Sequence, residues 1–282
     1  MDLETIAAGA AGAVVSSLVF HPIDTVLTLQ QTSVSNSLVL PLRQYWKGIS
    51  VTTTLTAAAF ATYVASYREC KAVLTPYVGA DSAANYVGAG IVSELVSSLF
   101  WTPMDVVKGR MQVHLGSERT RDVVRAIWRH EGLPGFFRGY WLSLAVYVPH
   151  SAIYWLVYER AKERLRTWPW PWADPEDLTT GQYAVASGTA LAAAETASNF
   201  FDLVKTRQQL AFSAEVKAMR PDDRAGWATV TRNVVRELGW RSLVRGLPLR
   251  LAYGLPSGVL SMVIVETVRP DHGPDVADIL DI

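Results

Sequence analysis

The sequence predicts an all-α membrane protein built from three tandem repeats, and three observations lead there. Six apolar segments can be drawn, at residues 6–20, 49–67, 83–101, 141–157, 182–201 and 249–265. Near the ends of the first, third and fifth lie copies of one motif. The fullest is Thr102-Pro103-Met104-Asp105-Val106-Val107-Lys108-Gly109-Arg110-Met111-Gln112; weaker ones run from Pro22-Ile23-Asp24 to Gln31 and from Phe200-Phe201-Asp202 to Gln209. Asp24, Asp105 and Asp202 are 81 and 97 residues apart, the recurrence expected of a repeat architecture. The 282 residues are 50% hydrophobic and only 18% charged, with mean hydropathy +0.15. A soluble helical repeat protein is the alternative, since several segments fall short of the ~20 apolar residues of a membrane span and Glu94 and Glu195 interrupt two of them.

In the first repeat, residues 1–78, the run from Ala7 to Ala13 holds only Ala and Gly, small enough for close helix packing in lipid. Residues 32–44 contain Pro41, which leaves room for a short surface helix at most. Tyr45-Trp46-Lys47-Gly48 then precedes the second apolar segment. The second repeat, 79–173, carries an amphipathic stretch at 119–130. Val123, Val124, Ile127 and Trp128 oppose Arg121, Arg125 and Arg129 there, the pattern of a helix lying flat at an interface. Glu131-Gly132 and Phe137-Arg138-Gly139 follow. Trp168-Pro169-Trp170-Pro171-Trp172 is expected to be a rigid aromatic loop rather than helix. The third repeat, 174–282, has a small-residue run at 190–194, a second amphipathic stretch at 226–238, and Leu238-Gly239-Trp240 leading to Val244-Arg245-Gly246. Residues 276–282 read as a solvated acidic tail.

Other classes find little to stand on. Twenty-six basic residues balance 26 acidic ones, so no basic field points to nucleic acid. Cys70 is the one cysteine and cannot form an internal disulfide. The five histidines, His21, His114, His130, His150 and His272, show no metal-ligand spacing. No nucleophile has a paired base and no glycine-rich phosphate loop occurs, so neither an enzyme nor a cofactor is expected. The apolar pattern begins at Ile6, which leaves no room for a signal or transit peptide; any address is expected to be internal.

Counted from the proline position, each motif puts an acid two residues later, a base five later and a glutamine nine later. These are Asp24, Leu27 and Gln31; Asp105, Lys108 and Gln112; and Asp202, Lys205 and Gln209. With the aromatic-basic-glycine triplets that follow, the pattern resembles the mitochondrial carrier family over nearly the whole chain. The resemblance implies six transmembrane helices with pseudo-threefold symmetry, one matrix-side surface helix per repeat, and both termini toward the intermembrane space. It also implies a matrix-side gate of cyclic pairs, Asp24 with Lys108 and Asp105 with Lys205, braced by Gln31, Gln112 and Gln209. Asp202 is expected to lack a base, because Leu27 stands there, and Phe200 replaces the third proline.

The opposite, cytoplasmic-side gate implied by the family draws on Lys71, Glu159, Lys162, Glu266 and Arg269, with Arg68 where an acid belongs. Glu159 is expected to meet Arg269, Glu266 to meet Lys71, and Arg68 to face Lys162. Lys47-Gly48, Arg138-Gly139 and Arg245-Gly246 match the helix starts that hold cardiolipin in the family, as basic helix N-termini bind phosphate. Thirteen residues before the acid position of each even-helix motif lie Leu55, Val146 and Tyr253, expected substrate contacts with their neighbours Thr56, Tyr147 and Gly254. Arg250, one turn away, is the only basic candidate nearby.

Glu94 and Glu195 stand eleven and seven residues before Asp105 and Asp202, on the same helical face, and are expected in the cavity or bonded to serines such as Ser98 and Ser198. An acidic cavity suits a cationic or zwitterionic substrate, with Tyr147 and Tyr253 as cation–π faces. The run Pro149-His150-Ser151-Ala152-Ile153-Tyr154-Trp155 loosely resembles the branch of S-adenosylmethionine, glutathione and metal carriers. The function expected is therefore small-molecule transport across the mitochondrial inner membrane by a monomer, by alternating access. Leu27, Phe200 and Arg68 favour the rival, a carrier-fold protein that acts as membrane receptor or scaffold.

Overall fold

The computed structural model describes residues 3–32, 34, 39–79, 82–114, 116, 118–167 and 180–268, and among them every regular element is helical. In order the α-helices are α1 (Leu3–Thr32), α2 (Leu42–Tyr45), α3 (Ile49–Val78), α4 (Ala83–Val113), α5 (Thr120–Glu131), α6 (Leu133–Phe136), α7 (Tyr140–Thr167), α8 (Thr180–Leu210), α9 (Ala214–Met219), α10 (Trp227–Leu238) and α11 (Leu247–Val268), with short 3-10 helices at Pro221–Ala225 and Gly239–Leu243. The long helices run past the apolar segments: α1, α4 and α8 carry on through the charged motifs, which are therefore helical too. The expected aromatic loop at 168–172, Arg269 and the acidic tail lie outside the described residues.

The six long helices close into a ring. α1 packs on α3, α3 on α4, α4 on α7, α7 on α8, α8 on α11, and α11 back on α1. α1, α4 and α8 also touch one another pairwise. Pro22, Pro103, Pro149 and Pro256 sit inside α1, α4, α7 and α11; α8 has none. Tight approach follows from small residues: Ala186 and Ala190 of α8 are fully buried against Tyr154 and Tyr158 of α7.

The polarity of α4 is inverted relative to a helix in water. It buries Ser93, Ser97 and Thr102 while Val87, Ile91 and Leu99 are exposed, which suits an apolar surround and a polar interior. By length and composition only two stretches, within Gly9–Thr32 and Leu42–Val78, meet a membrane-span criterion on their own among the described residues. α4 and α8 carry inward-side charges, among them Glu94, Lys108, Glu195 and Lys205, that lower their average hydropathy.

The amphipathic stretches form as expected. Val123 and Ile127 of α5 pack on Val106, Val107 and Met111 of α4, and Val230 and Val234 of α10 pack on Leu203 and Val204 of α8. The first repeat has only the one-turn α2 in that place. Gln44 on it donates to the Gln112 carbonyl at 2.6 Å.

The three aromatic-basic-glycine triplets share a backbone state. Gly48, Gly139 and Gly246 have φ of 84°, 79° and 79°, the left-handed region that favours glycine, just before α3, α7 and α11. Each also lies against the next repeat in a cyclic order. A Cβ on Gly48 would come 3.1 Å from Lys108 Cα, one on Gly139 2.7 Å from Gln209 Cγ, and one on Gly246 2.9 Å from Leu27 Cδ1. Glycine is thus required twice over, by conformation and by the neighbouring helix.

Candidate functional site

Acid and base three residues apart fall on one helix face, so α1, α4 and α8 bring their motifs together where they meet. Lys108 Nζ lies 3.3 Å from Asp24 Oδ2 and 3.9 Å from Asp105 Oδ1, and Lys205 Nζ lies 3.2 Å from Asp105 Oδ2. Gln112 donates to Asp24 at 2.6 Å and Gln31 donates to Asp202 at 2.9 Å. The third glutamine differs: the Gln209 side chain lies against Gly139, and its buried amide nitrogen has no hydrogen-bond partner among the described residues.

Asp202 corrects the sequence expectation. It has a cationic neighbour, Arg250 of α11, whose Nη1 lies 3.5 Å from Asp202 Oδ2. The same guanidinium pairs through Nε with Glu195 and donates from Nη2 to Ser198 Oγ at 3.1 Å. His150 Nδ1 stands 3.2 Å from that Ser198 oxygen. α11 packs along α8, so an arginine one turn before Tyr253 reaches both α8 carboxylates. A cavity of about 250 Å³ opens beside these groups, lined by four carboxylates (Asp24, Asp105, Glu195, Asp202) and three basic residues (Lys108, Lys205, Arg250), together with Leu27 and Tyr253. Its formal charge is one negative unit, acidic as expected, with the basic residues offsetting all but one of the carboxylates.

The remaining candidates divide. Gly254 stands beside Glu195, whose Oε1 would be 3.3 Å from a Cβ added there, and Phe20 packs edge-on to Tyr253. Leu55, Thr56, Val146, Tyr147 and Glu94 lie outside this cavity's lining. Thr56 and Val146 are buried, with Thr56 bonded to Met104; Tyr147 meets Tyr63 hydroxyl to hydroxyl at 3.1 Å. Glu94 accepts from Ser98 at 3.0 Å, so one of its two expected roles is seen. At the other end of the ring, Lys162 Nζ sits 4.6 Å above the Tyr158 ring, and Arg68, exposed, and Lys71, half-buried, lie one turn apart on α3. Glu159 and Glu266 belong to α7 and α11.

At the three helix starts the basic side chains reach protein groups. Lys47 donates to the carbonyls of His114 and, at 2.6 Å, of Gly116. Arg138 pairs with Glu131 at 2.7 Å and stacks 3.5 Å over the Phe212 ring, while Arg245 Nε donates to the Gln30 carbonyl at 2.8 Å.

Two residues were missed by the sequence reading. Arg110 and Arg207, seven after the proline position in repeats two and three, pair with Glu131 and Glu237 and so fasten α4 to the end of α5 and α8 to the end of α10. Arg110 contacts Glu131 at 2.5 and 2.9 Å. Burial pushes the Glu131 carboxyl up, but the hydrogen bond and charge of Arg110, then those of Arg138, outweigh it and hold the group below the ordinary glutamate value. Their shared offset was the available signal; repeat one has Leu29 there, which weakened it.

A closed ring of six helices, three of them joined by acid–base pairs from successive repeats beside a charged cavity, defines a membrane carrier. The chain belongs to the mitochondrial carrier family: the family model described as mitochondrial carrier protein matches residues 79–167 and 176–270. Both segments lie beyond the first repeat, where Leu27 and Arg68 depart from the pattern. An uncharacterized mitochondrial carrier of Schizosaccharomyces pombe is 33% identical over 274 residues, covering 95% of this chain and 98% of that protein. Mitochondrial substrate carrier family protein E of Dictyostelium discoideum is 26% identical, covering 94% of each chain. Mitoferrin-2 of Homo sapiens is 29% identical, covering 92% of this chain and 74% of that protein. Membership makes the chain a solute transporter of the mitochondrial inner membrane, not an enzyme.

Proposed function

We propose that the protein moves a small cationic or zwitterionic metabolite across the inner membrane by alternating access, as one monomer of three repeats (1–78, 79–173 and 174–282) with six spans and both termini toward the intermembrane space. The carrying observation is the linked set Asp24–Lys108–Asp105–Lys205, which joins α1, α4 and α8 beside the cavity. The ring is the matrix-side gate in its closed state, braced by Gln31 and Gln112. Opening breaks it, and the charges at the other end (Lys71, Glu159, Lys162, Glu266 and Arg269) then close. Buried pairs suit such a switch, because their attraction is largely offset by desolvation and little net free energy holds either state.

The cavity's single excess negative charge supports a cation or zwitterion over a di- or tricarboxylate. Tyr253 and Gly254 with Glu195 form the substrate floor. Leu55, Thr56, Val146, Tyr147 and Glu94 belong to the path above it. The inverted polarity of α4 supports a span there. Cardiolipin phosphates are read by the helix starts at Lys47-Gly48, Arg138-Gly139 and Arg245-Gly246, chiefly through backbone amides, since the basic side chains are engaged. In a cardiolipin titration, wild-type melting temperature is expected to rise more than with a zwitterionic lipid, and Arg138→Glu with Arg245→Glu to blunt the rise. Equal response to both lipids makes the triplets helix starts only.

Transport itself is tested by uptake into liposomes of labelled cations, zwitterions and dicarboxylates. Saturable uptake from the first two groups is expected, and Lys108→Gln should slow it at least tenfold. Robust dicarboxylate uptake alone would overturn the charge assignment.

A further inference from the structure

We infer that Glu94, with Tyr63 and Tyr147 beside it, is the binding point for the ammonium group of an organic cation on its way to the gate. The inference rests on the transport reading above and names which of its two substrate classes the path selects. Asp24, Asp105, Asp202 and Glu195 each have a lysine or arginine next to them. Glu94 has none: half-buried on α4, its carboxylate accepts from Ser98 at 3.0 Å and pairs with no cation among the described residues. Lys205, a base whose charge reaches it, is held by Asp105 at 3.2 Å. Eleven residues of helix put Glu94 about 16 Å along α4 from Asp105, on the same face and away from the gate.

The two helices that flank α4 bring aromatic hydroxyls to this carboxylate. Tyr147 of α7 sets its hydroxyl 3.8 Å from where a Cβ on Gly90 would stand, one turn from Glu94. Tyr140, two turns earlier on α7, donates to the Leu95 carbonyl at 2.8 Å and so fixes α7 along this part of α4. From the other flank the Tyr63 hydroxyl of α3 meets that of Tyr147 at 3.1 Å, and its ring lies nearly parallel to the Tyr67 ring, 6.4 Å away. The Glu94 charge reaches both hydroxyls. An ammonium group brings a positive charge and N–H donors. Here it meets a carboxylate without a counter-ion, phenol oxygens with lone pairs, and aromatic rings that attract cations. A solute that also carries a carboxylate finds no free base in return, because Lys108, Lys205 and Arg250 are already paired. A divalent metal ion calls for several ligands, and among the described residues no group of three histidine, cysteine, aspartate or glutamate side chains is placed to hold one. An organic cation needs only what Glu94 and the tyrosines supply.

The test reads melting temperatures of the purified full chain in detergent. Without ligand, Glu94→Gln is expected to melt at or above the wild type, because it removes a half-buried charge that has no partner. A clear fall would make Glu94 a structural anchor for Ser98 and overturn the inference. Primary amines from butylammonium to phenylethylammonium are then titrated, beside the amino acids of the same skeleton (norvaline and phenylalanine), the matching acids that lack the amine, and manganese(II). At least one amine is expected to stabilise the wild type at tenfold lower concentration than its amino acid, its acid or manganese(II). That effect should vanish in Glu94→Gln and need at least threefold more amine in Tyr63→Leu. No response to any amine, an equal response to the amino acid or the metal, or an amine response unchanged in Glu94→Gln overturns the inference. Liposome uptake separates it from the transport reading. A Glu94-dependent shift with no solute moved counts against transport alone, whereas uptake that is equal in wild type and Glu94→Gln leaves transport standing and overturns the inference.

Discussion

Gly139 shows how much one residue settles. Its φ of 79° and the mere 2.7 Å that would separate an added Cβ from Gln209 Cγ make it both a turn and a contact between repeats two and three. Gly139→Ala is expected to cost about 1–2 kcal/mol for the left-handed backbone alone, with more for displacing Gln209. The melting temperature should fall by more than for Gly226→Ala, where φ is 127° but nothing lies within 4 Å. Equal falls would show that the Gln209 contact adds nothing. At this scale the acids and bases of the ring were legible, because each recurs at a fixed offset from the proline position. Arg250 as the partner of Asp202 was not, since it stands at no repeated offset and its pairing depends on how α11 lies along α8. The fate of Gln209 was hidden for the same reason: a helix face is readable from spacing, a neighbour's backbone is not.

The elements that hold the odd helices in place are the surface helices, and their links carry a pH signature. The Arg110–Glu131–Arg138 cluster keeps Glu131 below its ordinary value, so the link contributes above the unfolded glutamate pKa of about 4.3 and is lost as pH falls through the lower folded one. Glu131→Gln is expected to destabilise by about 3 kcal/mol near neutral pH. In thermal melts the gap from wild type should close below about pH 4. A gap unchanged at acid pH would mean that Glu131 acts by packing, not charge. The amphipathic 3.6-residue pattern made α5 and α10 legible to within a residue or so, with 119–130 expected and Thr120–Glu131 found. The long helices were read too short, because charged motifs do not look like span; they remain helical since their charges face a polar interior.

For the molecule as a whole, the ring of six follows from contacts that sequence spacing alone could not give, and the threefold recurrence was what made it readable beforehand. Pairing each acid with the base of the next repeat requires α1, α4 and α8 to converge, and they do, at Asp24–Lys108 and Asp105–Lys205. Repeat one was the least legible, because its Leu27, Leu29 and one-turn α2 replace a base, a basic partner and a surface helix. Those departures moved its third link to α11 and left its position 29 in an apolar cluster with Val113, Leu210 and Val216, where the repeats join. The most direct measurement is solute uptake by liposomes holding wild type, Asp24→Lys, or Asp24→Lys with Lys108→Asp, against a panel of cationic and zwitterionic metabolites. A gated carrier predicts saturable wild-type uptake, a fall of tenfold or more in the single variant, and partial recovery in the charge swap. Wild-type uptake no faster than in protein-free liposomes across the panel would contradict it and leave a membrane receptor in a carrier's fold.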